Sequence, residues 1–267
     1  MEQIMYKISF IGAGNVTYRL SLALQKAGHN ICCICNRDTQ KADKVVRALK
    51  REKSDASVTN NIEQIPDSDI LIIAVSDSAI KDIAQQIAQY KNRFKLIAHT
   101  SGATAINVLK ECEIDNCGVF YPLMTLSKNK DIDIRLVPFL LESNCKNGEE
   151  ILTNMVQSLK AEYNFCSSDK RLQMHTAAVF GTNFINYILS LAYDISSPNF
   201  TYLLPGAIET VRKAFLNNPN ISQTGPALRR DMITLEKHMK VLKEKGLTSH
   251  LQVYKMLSEK IMEKYNK

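Results

Sequence analysis

The chain enters regular structure at Met5-Tyr6-Lys7-Ile8-Ser9-Phe10-Ile11, and this apolar strand pattern runs directly into Gly12-Ala13-Gly14-Asn15-Val16-Thr17 and a helix pattern. Strand, glycine turn and helix follow one another in the order of a dinucleotide-binding unit. Gly12 permits the tight turn, and Gly14 lets the backbone approach a pyrophosphate on the free N–H groups of the helix. Thr17 stands where a third small residue normally packs helix against strand. The segment predicts a nucleotide site at Gly12, Ala13, Gly14, Asn15 and Val16; the alternative is a purely structural turn.

Composition is typical of a globular protein, with 267 residues of which 45% are hydrophobic and 23% charged. No apolar run approaches the ~18 to 20 residues that a membrane span needs. The N-terminus has a strand pattern rather than a basic segment followed by an apolar signal segment. We therefore expect a cytoplasmic protein without a membrane partner.

The net charge of +7 is concentrated at the C-terminal end, where eight lysines and three glutamates lie between Lys237 and Lys267. These residues fall on helix patterns with an apolar stripe, which favours a solvated helix face over a nucleic-acid surface. No interleaved aromatic motif points to RNA or DNA, so we expect no nucleic-acid partner.

The seven cysteines are an odd number, and their scatter predicts free buried thiols. Cys32 and Cys35 spell CxxC, but they lie in an apolar run that predicts the second strand. Residues three apart on a strand face opposite sides, so they are expected neither to share a metal nor to form a disulfide. We predict no metal site.

Strand and helix patterns alternate as far as residue 167, which is typical of a parallel sheet with crossover helices. The apolar run from Ile70 to Val75 fits a central strand covered on both faces. Nearly everything from Ser168 onward predicts helix, with breaks at Pro198, 217–225 and Gly246. The sequence therefore predicts an α/β fold: a doubly wound, Rossmann-like domain over 1–167, then an all-helical domain over 168–267.

The end of the second strand indicates which dinucleotide is bound. NAD-binding folds place an Asp or Glu there to accept hydrogen bonds from the ribose, whereas this strand ends in Asn36 and Arg37. Asn36 can donate to a 2′-phosphate, and Arg37 can pair with it or stack on adenine. The pattern favours NADP; alternatively, Arg37 is an exposed residue before the second helix and Asp38 caps that helix.

Two loops at the carboxyl ends of later strands are further candidates, because ligands of doubly wound sheets bind there. Ser76 and Asp77 follow the fourth strand, where the ribose-nicotinamide half of the cofactor would pass; the other interpretation is helix capping. His99 ends the fifth strand and can orient a carboxamide or a substrate oxygen, while Ser101 can present a backbone N–H. Alternatively, His99 only caps the strand and bonds the neighbouring loop.

The helical part supplies a polar stripe in an otherwise apolar segment. On one continuous α-helix His175, Thr182 and Asn186 nearly superpose, and Asn183 is offset by about 80°. Buried polar groups need partners, so the stripe favours a site over a structural histidine.

A second helical candidate surrounds Pro226, which the sequence predicts as the first-turn residue of a helix capped by Thr224 or Gly225. Arg229 and Arg230 then lie in the first turns, where the helix dipole disfavours cations. We expect an anionic partner there, either a substrate or Asp231; the alternative is a surface ion pair.

These segments together resemble a family of two-domain proteins that join a Rossmann-like domain to a helical domain of unknown function, DUF2520. The matching segments are GAGNV at 12–16, HTSGA at 99–103, YPLMT at 121–125, HTAAVFGTNF at 175–184 and TGPALRRDM at 224–232. The resemblance implies an NADP-linked oxidoreductase without an assigned reaction.

More distantly, the layout is similar to ketopantoate reductase, pyrroline-5-carboxylate reductase, and 6-phosphogluconate and β-hydroxyacid dehydrogenases. The resemblance implies a helical domain like that of 6-phosphogluconate dehydrogenase and a homodimer formed through it. In the reductase and β-hydroxyacid relatives the first long helix of the second domain carries a catalytic lysine and then an asparagine. His175 stands where that lysine is expected, and Asn183 fits the asparagine. YPLMT is similar to the HPM segment of prephenate dehydrogenases, with Tyr121 in place of histidine.

These inferences predict an NADP(H)-dependent oxidoreductase that passes hydride to or from a small carbonyl, imine or alcohol in a cleft between domains. His175 is the expected acid/base, Asn183 and His99 are expected to orient the substrate, and Arg229 is expected to hold an anionic group of it. The alternative is a non-catalytic NADP sensor. Substrate, direction and hydride face are not encoded in any motif of the chain.

Overall fold

The computed structural model describes residues 4–265, and its first part contains an eight-stranded sheet. Its strands in spatial order are β3-β2-β1-β4-β5-β6-β7-β8. Their bounds are β1 Lys7–Ile11, β2 Asn30–Cys35, β3 Ser57–Thr59, β4 Ile70–Ile73, β5 Leu96–His99, β6 Cys117–Pro122, β7 Phe139–Ser143 and β8 Tyr163–Phe165. In this order the chain winds outward from β1 in both directions, through β2 on one side and β4 on the other, which confirms the predicted doubly wound fold.

All neighbouring strands pair in parallel except β6 and β7, which are antiparallel. The connection between them, residues 123–138, holds only a short 3-10 turn, Ile134–Leu136, and no crossover helix. A parallel pair requires a crossover, so the chain returns antiparallel instead. Pro138 lies just before the first residue of β7, where its missing N–H costs the sheet no hydrogen bond.

Helices cover the sheet and continue beyond it. Their bounds are α1 Asn15–Lys26, α2 Thr39–Lys50, α3 Asp77–Ala88, α4 Asn107–Lys110, α5 Lys146–Ser158, α6 Ser168–Ala178, α7 Ile185–Ser196, α8 Leu204–Asn217, α9 Pro219–Ser222, α10 Met232–Glu244 and α11 Thr248–Lys264. A π-helical turn, Val179–Phe184, joins α6 to α7.

The sheet separates two apolar cores because successive strand residues point to opposite faces. Ile8 and Phe10 of β1 lie in one core, whereas Ile11 lies in the other with Cys33 and Cys35. All four residues of β4 are buried, as expected for a central strand. Each such aliphatic side chain contributes about 1.5 to 3 kcal/mol through burial, so these cores hold the edge of the sheet in place for the site described below.

The chain divides into two compact units, the first ending at Thr182 and the second beginning at Asn183. The predicted change to helix after residue 167 coincides with the start of α6 at Ser168, but α6 belongs to the first unit. The functional division into domains 1–167 and 168–267 stays a prediction. In the second unit, α10 and α11 are joined by His238 Nδ1 and Tyr254 Oη at 2.8 Å.

The seven cysteines are free, as predicted, and four of them are buried, whereas Cys32, Cys145 and Cys166 are only half-buried. No group of three or more metal-binding side chains occurs among residues 4–265. Over the same residues, none of the helices combines the length and apolar composition of a membrane span.

Candidate active site and cofactor site

The glycine turn has the geometry of a phosphate cradle. Gly12 adopts φ +105° and donates its N–H to the carbonyl of Cys35 at 2.8 Å. A Cβ at position 12 would overlap the carbonyl oxygen of Ala74, so only glycine fits there. Gly14 is the N-cap of α1 without a side-chain cap, and a Cβ there would meet no atom within 4 Å. Open space therefore lies over the N-terminal amides of α1, where a dinucleotide pyrophosphate fits.

Thr17, in the third glycine position, is fully buried and fills the contact between helix and strand. Its hydroxyl has no hydrogen-bond partner among the described residues.

The end of β2 carries Asn36 and Arg37 on an exposed turn. Asn36 Nδ2 donates to the carbonyl of Asp38 at 2.8 Å, and the Asp38 carboxylate caps α2 by accepting the N–H of Lys41 at 3.2 Å. The capping alternative therefore holds for Asp38. Arg37 makes no hydrogen bond or ion pair within residues 4–265, so its guanidinium is available to an external anion.

Ser76 and Asp77 lie at the start of α3, after β4. Ser76 is the N-cap residue, but its side chain makes no capping bond and lies 3.4 Å from the Ser78 hydroxyl. Asp77 is exposed, and its charge helps to raise the pKa of Tyr121. Asp77 follows β4 and Tyr121 lies near the end of β6, so both lie at the edge where these parallel strands end.

His99 ends β5 and is fully buried. Its Nδ1 accepts the backbone N–H of Ser101 at 3.2 Å, and its Nε2 has no hydrogen-bond partner among the described residues. Burial lowers the pKa of His99 to about 3, the nearby Arg171 guanidinium adds to this, and the Ala105 carbonyl acts weakly in the opposite direction. His99 is therefore neutral at pH 7 and has no exposed surface for a substrate.

Ser101 uses its backbone N–H and its hydroxyl for hydrogen bonds within its own loop. Its N–H is committed to His99, while its hydroxyl accepts the N–H of Thr104 at 2.9 Å and donates to the Thr104 hydroxyl at 3.0 Å. The predicted backbone donor at Ser101 is thus occupied, which corrects that part of the sequence interpretation.

His175 and Tyr121 form the polar pair at the centre of the candidate active site. The Tyr121 hydroxyl and His175 Nδ1 are 2.8 Å apart, with the rings edge to face at 5.7 Å. Both are partly exposed. His175 Nε2 has no hydrogen-bond partner within residues 4–265, so the pair leaves that nitrogen for an external ligand.

Gly102 makes the Tyr121–His175 pair possible. A Cβ at position 102 would lie 2.7 Å from His175 Nδ1 and 2.7 Å from Tyr121 Cζ. Both distances are far below van der Waals contact, so any other residue would displace the two rings. The HTSGA loop thus contributes to the site because the missing side chain of Gly102 leaves room for the two rings.

A buried ion pair fixes α6, and with it His175. Arg171 is fully buried, forms an ion pair with Glu142 of β7, and donates to the carbonyl of Thr104 at 2.6 Å. Ser168, at the start of α6, donates its hydroxyl to Glu142 at 2.8 Å and accepts the N–H of Ile106 at 3.0 Å. Since residues four apart share a helix face, this anchor turns His175 toward the sheet edge.

The predicted polar stripe requires correction. The π-helical turn at Val179–Phe184 adds residues to the helical turn, so His175, Thr182 and Asn186 do not follow a single α-helical phase. The Thr182 hydroxyl bonds the carbonyl of Ala178 at 2.6 Å, within the helix. Asn183 belongs to the second unit.

The predicted helix at Pro226 is also wrong. Residues 226–230 form turns, with Arg230 at φ +54°, and α10 begins at Met232. Asp231 is the cap, accepting the Thr234 N–H at 3.1 Å and hydroxyl at 2.7 Å. These bonds lower the pKa of Asp231, and Arg229 contributes a smaller attraction. Arg229 therefore lies outside the helix, and the dipole argument for an anion beside it does not hold.

The sequence reasoning assigned no role to four side chains: Tyr121, Glu142, Arg171 and Lys128. Arg171 precedes His175 by one helical turn, and Tyr121 stands in the YPLMT segment that the resemblance had singled out, so their positions carried a signal. Lys128 lies in a loop without a motif, yet its Nζ donates to the carbonyl of Ala13 in the glycine turn at 2.8 Å.

Comparison with family models matches two segments of the chain. Residues 7–101 match "NADP oxidoreductase coenzyme F420-dependent", and residues 137–261 match "Domain of unknown function (DUF2520)". These matches confirm the resemblance to proteins that join a Rossmann-like domain to a DUF2520 domain. Among curated proteins, no match is found.

Solved structures share the fold along nearly the whole chain. A provisionally assigned NADP oxidoreductase from Bacteroides fragilis is 28% identical, with 97% of this chain and 98% of that chain covered and a TM-score of 0.87. A reductive aminase from Aspergillus terreus in complex with NADPH and ethyl-5-oxohexanoate is 16% identical (96% and 93% covered, TM-score 0.69). Pyrroline carboxylate reductase from Plasmodium falciparum with NADP bound is 12% identical (97% and 99% covered, TM-score 0.59).

Proposed function

Because the chain joins an NADP oxidoreductase segment to a DUF2520 segment, we propose that it is an NADP(H)-dependent oxidoreductase acting on a small carbonyl, imine or alcohol. The observation that carries the proposal is the Tyr121–His175 pair, which leaves His175 Nε2 unpaired in a protein with an open dinucleotide cradle. The proposal keeps Asn183 as a substrate-contacting residue on resemblance alone, and the contact of Arg229 with an anionic group of the substrate stays a prediction.

The residues of the glycine turn fit the cofactor. A dinucleotide on the α1 amides, beside Gly14, would have its adenosine ribose near Asn36 and Arg37. When bound, reduced NADP supplies the hydride for the carbonyl or imine carbon.

His175 supplies the proton in this proposal. Protonated His175 donates from Nε2 to the oxygen or nitrogen of the substrate as hydride reaches the carbon, which leaves an alcohol or amine and neutral imidazole. Tyr121 fixes the ring through Nδ1, since its oxygen accepts from the imidazolium and its O–H donates to the neutral ring. In the oxidative direction the neutral ring takes the proton back.

The cofactor claim is tested with Gly14→Asp. The side chain has free space, and Asp is a favoured helix N-cap, so stability is expected to stay the same or rise. The carboxylate would occupy and repel the pyrophosphate position, so NADPH affinity should fall at least 100-fold by calorimetry. Wild-type protein that shows no thermal stabilisation by NADPH would overturn the proposal.

The catalytic claim is tested by screening oxo acids, ketones and imines for NADPH consumption, with coenzyme F420 included as an alternative hydride partner. His175→Gln should lower kcat at least 100-fold while NADPH affinity stays within twofold. Unchanged turnover would remove His175 from the mechanism. If NADPH binds and no substrate class reacts, the non-catalytic sensor becomes the better description.

The proposal includes a homodimer formed through the helical unit. That unit exposes large apolar side chains, among them Phe215 at 85%, Tyr202 at 81% and Ile221 at 77%. Such exposure on a folded helical unit is typical of an interaction surface.

A further inference from the structure

The loop at residues 127–131, between β6 and β7, is tied to the first helix of the nucleotide fold. Arg19 of α1 donates to the carbonyls of Ser127 at 2.7 Å and Lys128 at 3.0 Å. It also contacts the carbonyl of Lys130 and the carboxylate of Asp131. One planar guanidinium thus holds the backbone of this loop against the helix that follows the glycine turn.

The result is that Lys128 lies on the glycine turn itself. Its Nζ donates to the Ala13 carbonyl at 2.8 Å and lies 5.9 Å from the ring centre of Tyr18. The ammonium has three N–H donors, and the described contacts use one of them. Burial lowers the pKa of Lys128, and the charges of Lys44 and Lys41 lower it further. No carboxylate within residues 4–265 contacts Lys128.

Lys128 is therefore part of a cationic cluster, defined as Lys41, Lys44 and Lys128. Among the described residues, the one ion pair of these three lysines joins Lys41 to Asp38 at 3.5 Å. Like charges held close together destabilise each other unless an anion intervenes. The cluster combines two side chains of α2 with one from the loop after β6.

We propose that Lys128 is a specificity residue that binds the 2′-phosphate of NADP(H). This inference rests on the proposed function and deepens it. The pyrophosphate belongs over the α1 amides, whereas the 2′-phosphate belongs at the end of the second strand, beside the α2 lysines. A phosphate there would offset the cluster's charge, and the Lys128 ammonium would add a third donor group to those of the strand-end residues Asn36 and Arg37.

The test measures Lys128→Gln by calorimetry with two adenine nucleotides, 2′,5′-ADP and 5′-ADP. The first carries the 2′-phosphate, and the second carries a pyrophosphate instead. Affinity for 2′,5′-ADP and NADPH should fall at least tenfold, while affinity for 5′-ADP and NADH stays within twofold. Retained 5′-ADP and NADH binding also shows that the variant is folded.

Lys130→Gln is the matched control, because it removes the same charge from the same loop at an exposed side chain. It should change none of the four affinities more than twofold, and Lys128→Arg should largely restore 2′,5′-ADP binding. Equal losses for all four ligands, or no loss at all in Lys128→Gln, would overturn the inference. Wild-type protein that binds neither NADPH nor NADH would overturn the proposed function itself.

Discussion

Tyr121 illustrates how much a single hydroxyl does at this sheet edge. It touches no reacting atom in the proposed mechanism, so it is a positioning residue for His175. Burial, together with the charge of Asp77, raises the pKa of Tyr121, which keeps its O–H protonated at neutral pH. The hydroxyl is thus a fixed donor when the imidazole is neutral and an acceptor when it is charged.

Tyr121→Phe should lower kcat about 10- to 100-fold, because the imidazole of His175 loses the hydrogen bond that orients it. NADPH affinity should stay within twofold, because Tyr121 is not among the residues proposed to bind the cofactor. The pH at which kcat is half-maximal should also shift. Steady-state kinetics across pH 5–9 measures both effects. Tyr163→Phe is the control at an exposed tyrosine, and equal kinetics of the two variants would contradict the role of Tyr121.

His99 makes acid stability depend on one buried imidazole. Its pKa is about 3 in the folded chain, below the ordinary value of 6.5. A histidine that is neutral when folded favours the folded state above pH 6.5, and this contribution is lost as pH falls from 6.5 toward 3. At pH 5 the loss relative to pH 7 is about 2 kcal/mol, at 1.36 kcal/mol per pH unit.

We expect His99→Asn to flatten this pH dependence. Asn keeps an acceptor for the Ser101 N–H but does not titrate, so the variant is less stable at pH 7 and loses less between pH 7 and pH 5. Urea unfolding at several pH values measures the slope. A slope equal to that of the wild type would show that other groups, such as the buried His29, dominate acid unfolding.

At the scale of single residues, the sequence predicted the tight turn at Gly12 and the start of α1 beside Gly14, because a strand-to-helix turn has one geometry. The sequence could not predict that His99 is buried and bonded to Ser101, since burial and hydrogen-bond partners depend on the loop that folds over them. The contact of Lys128 with the glycine turn could not be predicted for the same reason. Asp231 was within reach, because Asp followed by Thr234 three residues later is a capping signal.

Among the elements, α6 depends most on one interaction. The Arg171–Glu142 pair joins it to β7, and three donors of its first turn converge on the same carboxylate. A buried guanidinium left without its carboxylate is strongly unfavourable.

Glu142→Ala should lower the free energy of unfolding by about 3 kcal/mol, because Arg171 and Ser168 lose their acceptor. Chemical denaturation of the full chain measures the change. Glu150→Ala, at an exposed glutamate without an ion pair in the described structure, should stay within about 0.5 kcal/mol. Similar values for the two variants would show that the pair does not anchor α6.

Element type was predictable where the apolar period was clear, as in β1, β2, β4 and α1. Two errors came from assuming regular helices. The π-turn at Val179–Phe184 leaves no mark in a sequence that reads as continuous helix, and Pro226 suits a turn as well as a first helical turn. The antiparallel β7 was not anticipated, because its direction depends on how the connection at 123–138 crosses the sheet.

On the scale of the whole molecule, the homodimer is the proposal with the most direct readout. Light scattering should give twice the 30.1 kDa mass of one chain. Phe215→Asp should yield a folded monomer, because a charge would replace one of the most exposed apolar side chains. Lys213→Asp, at an exposed lysine on the same helix, is the control for an added negative charge. A monomeric wild type would contradict the dimer.

The antiparallel pairing of β6 with β7 bears on how this chain can be divided. The DUF2520 match begins at residue 137, two residues before β7. Yet β7 hydrogen-bonds to β6, and the ring centres of Phe139 and Phe120 lie 4.7 Å apart. The border between the two matches therefore runs through one sheet. Separate fragments 1–136 and 137–267 should be insoluble, whereas co-expression should restore a soluble, NADPH-binding complex by fragment complementation. The two segments that match different family models would then depend on each other to fold.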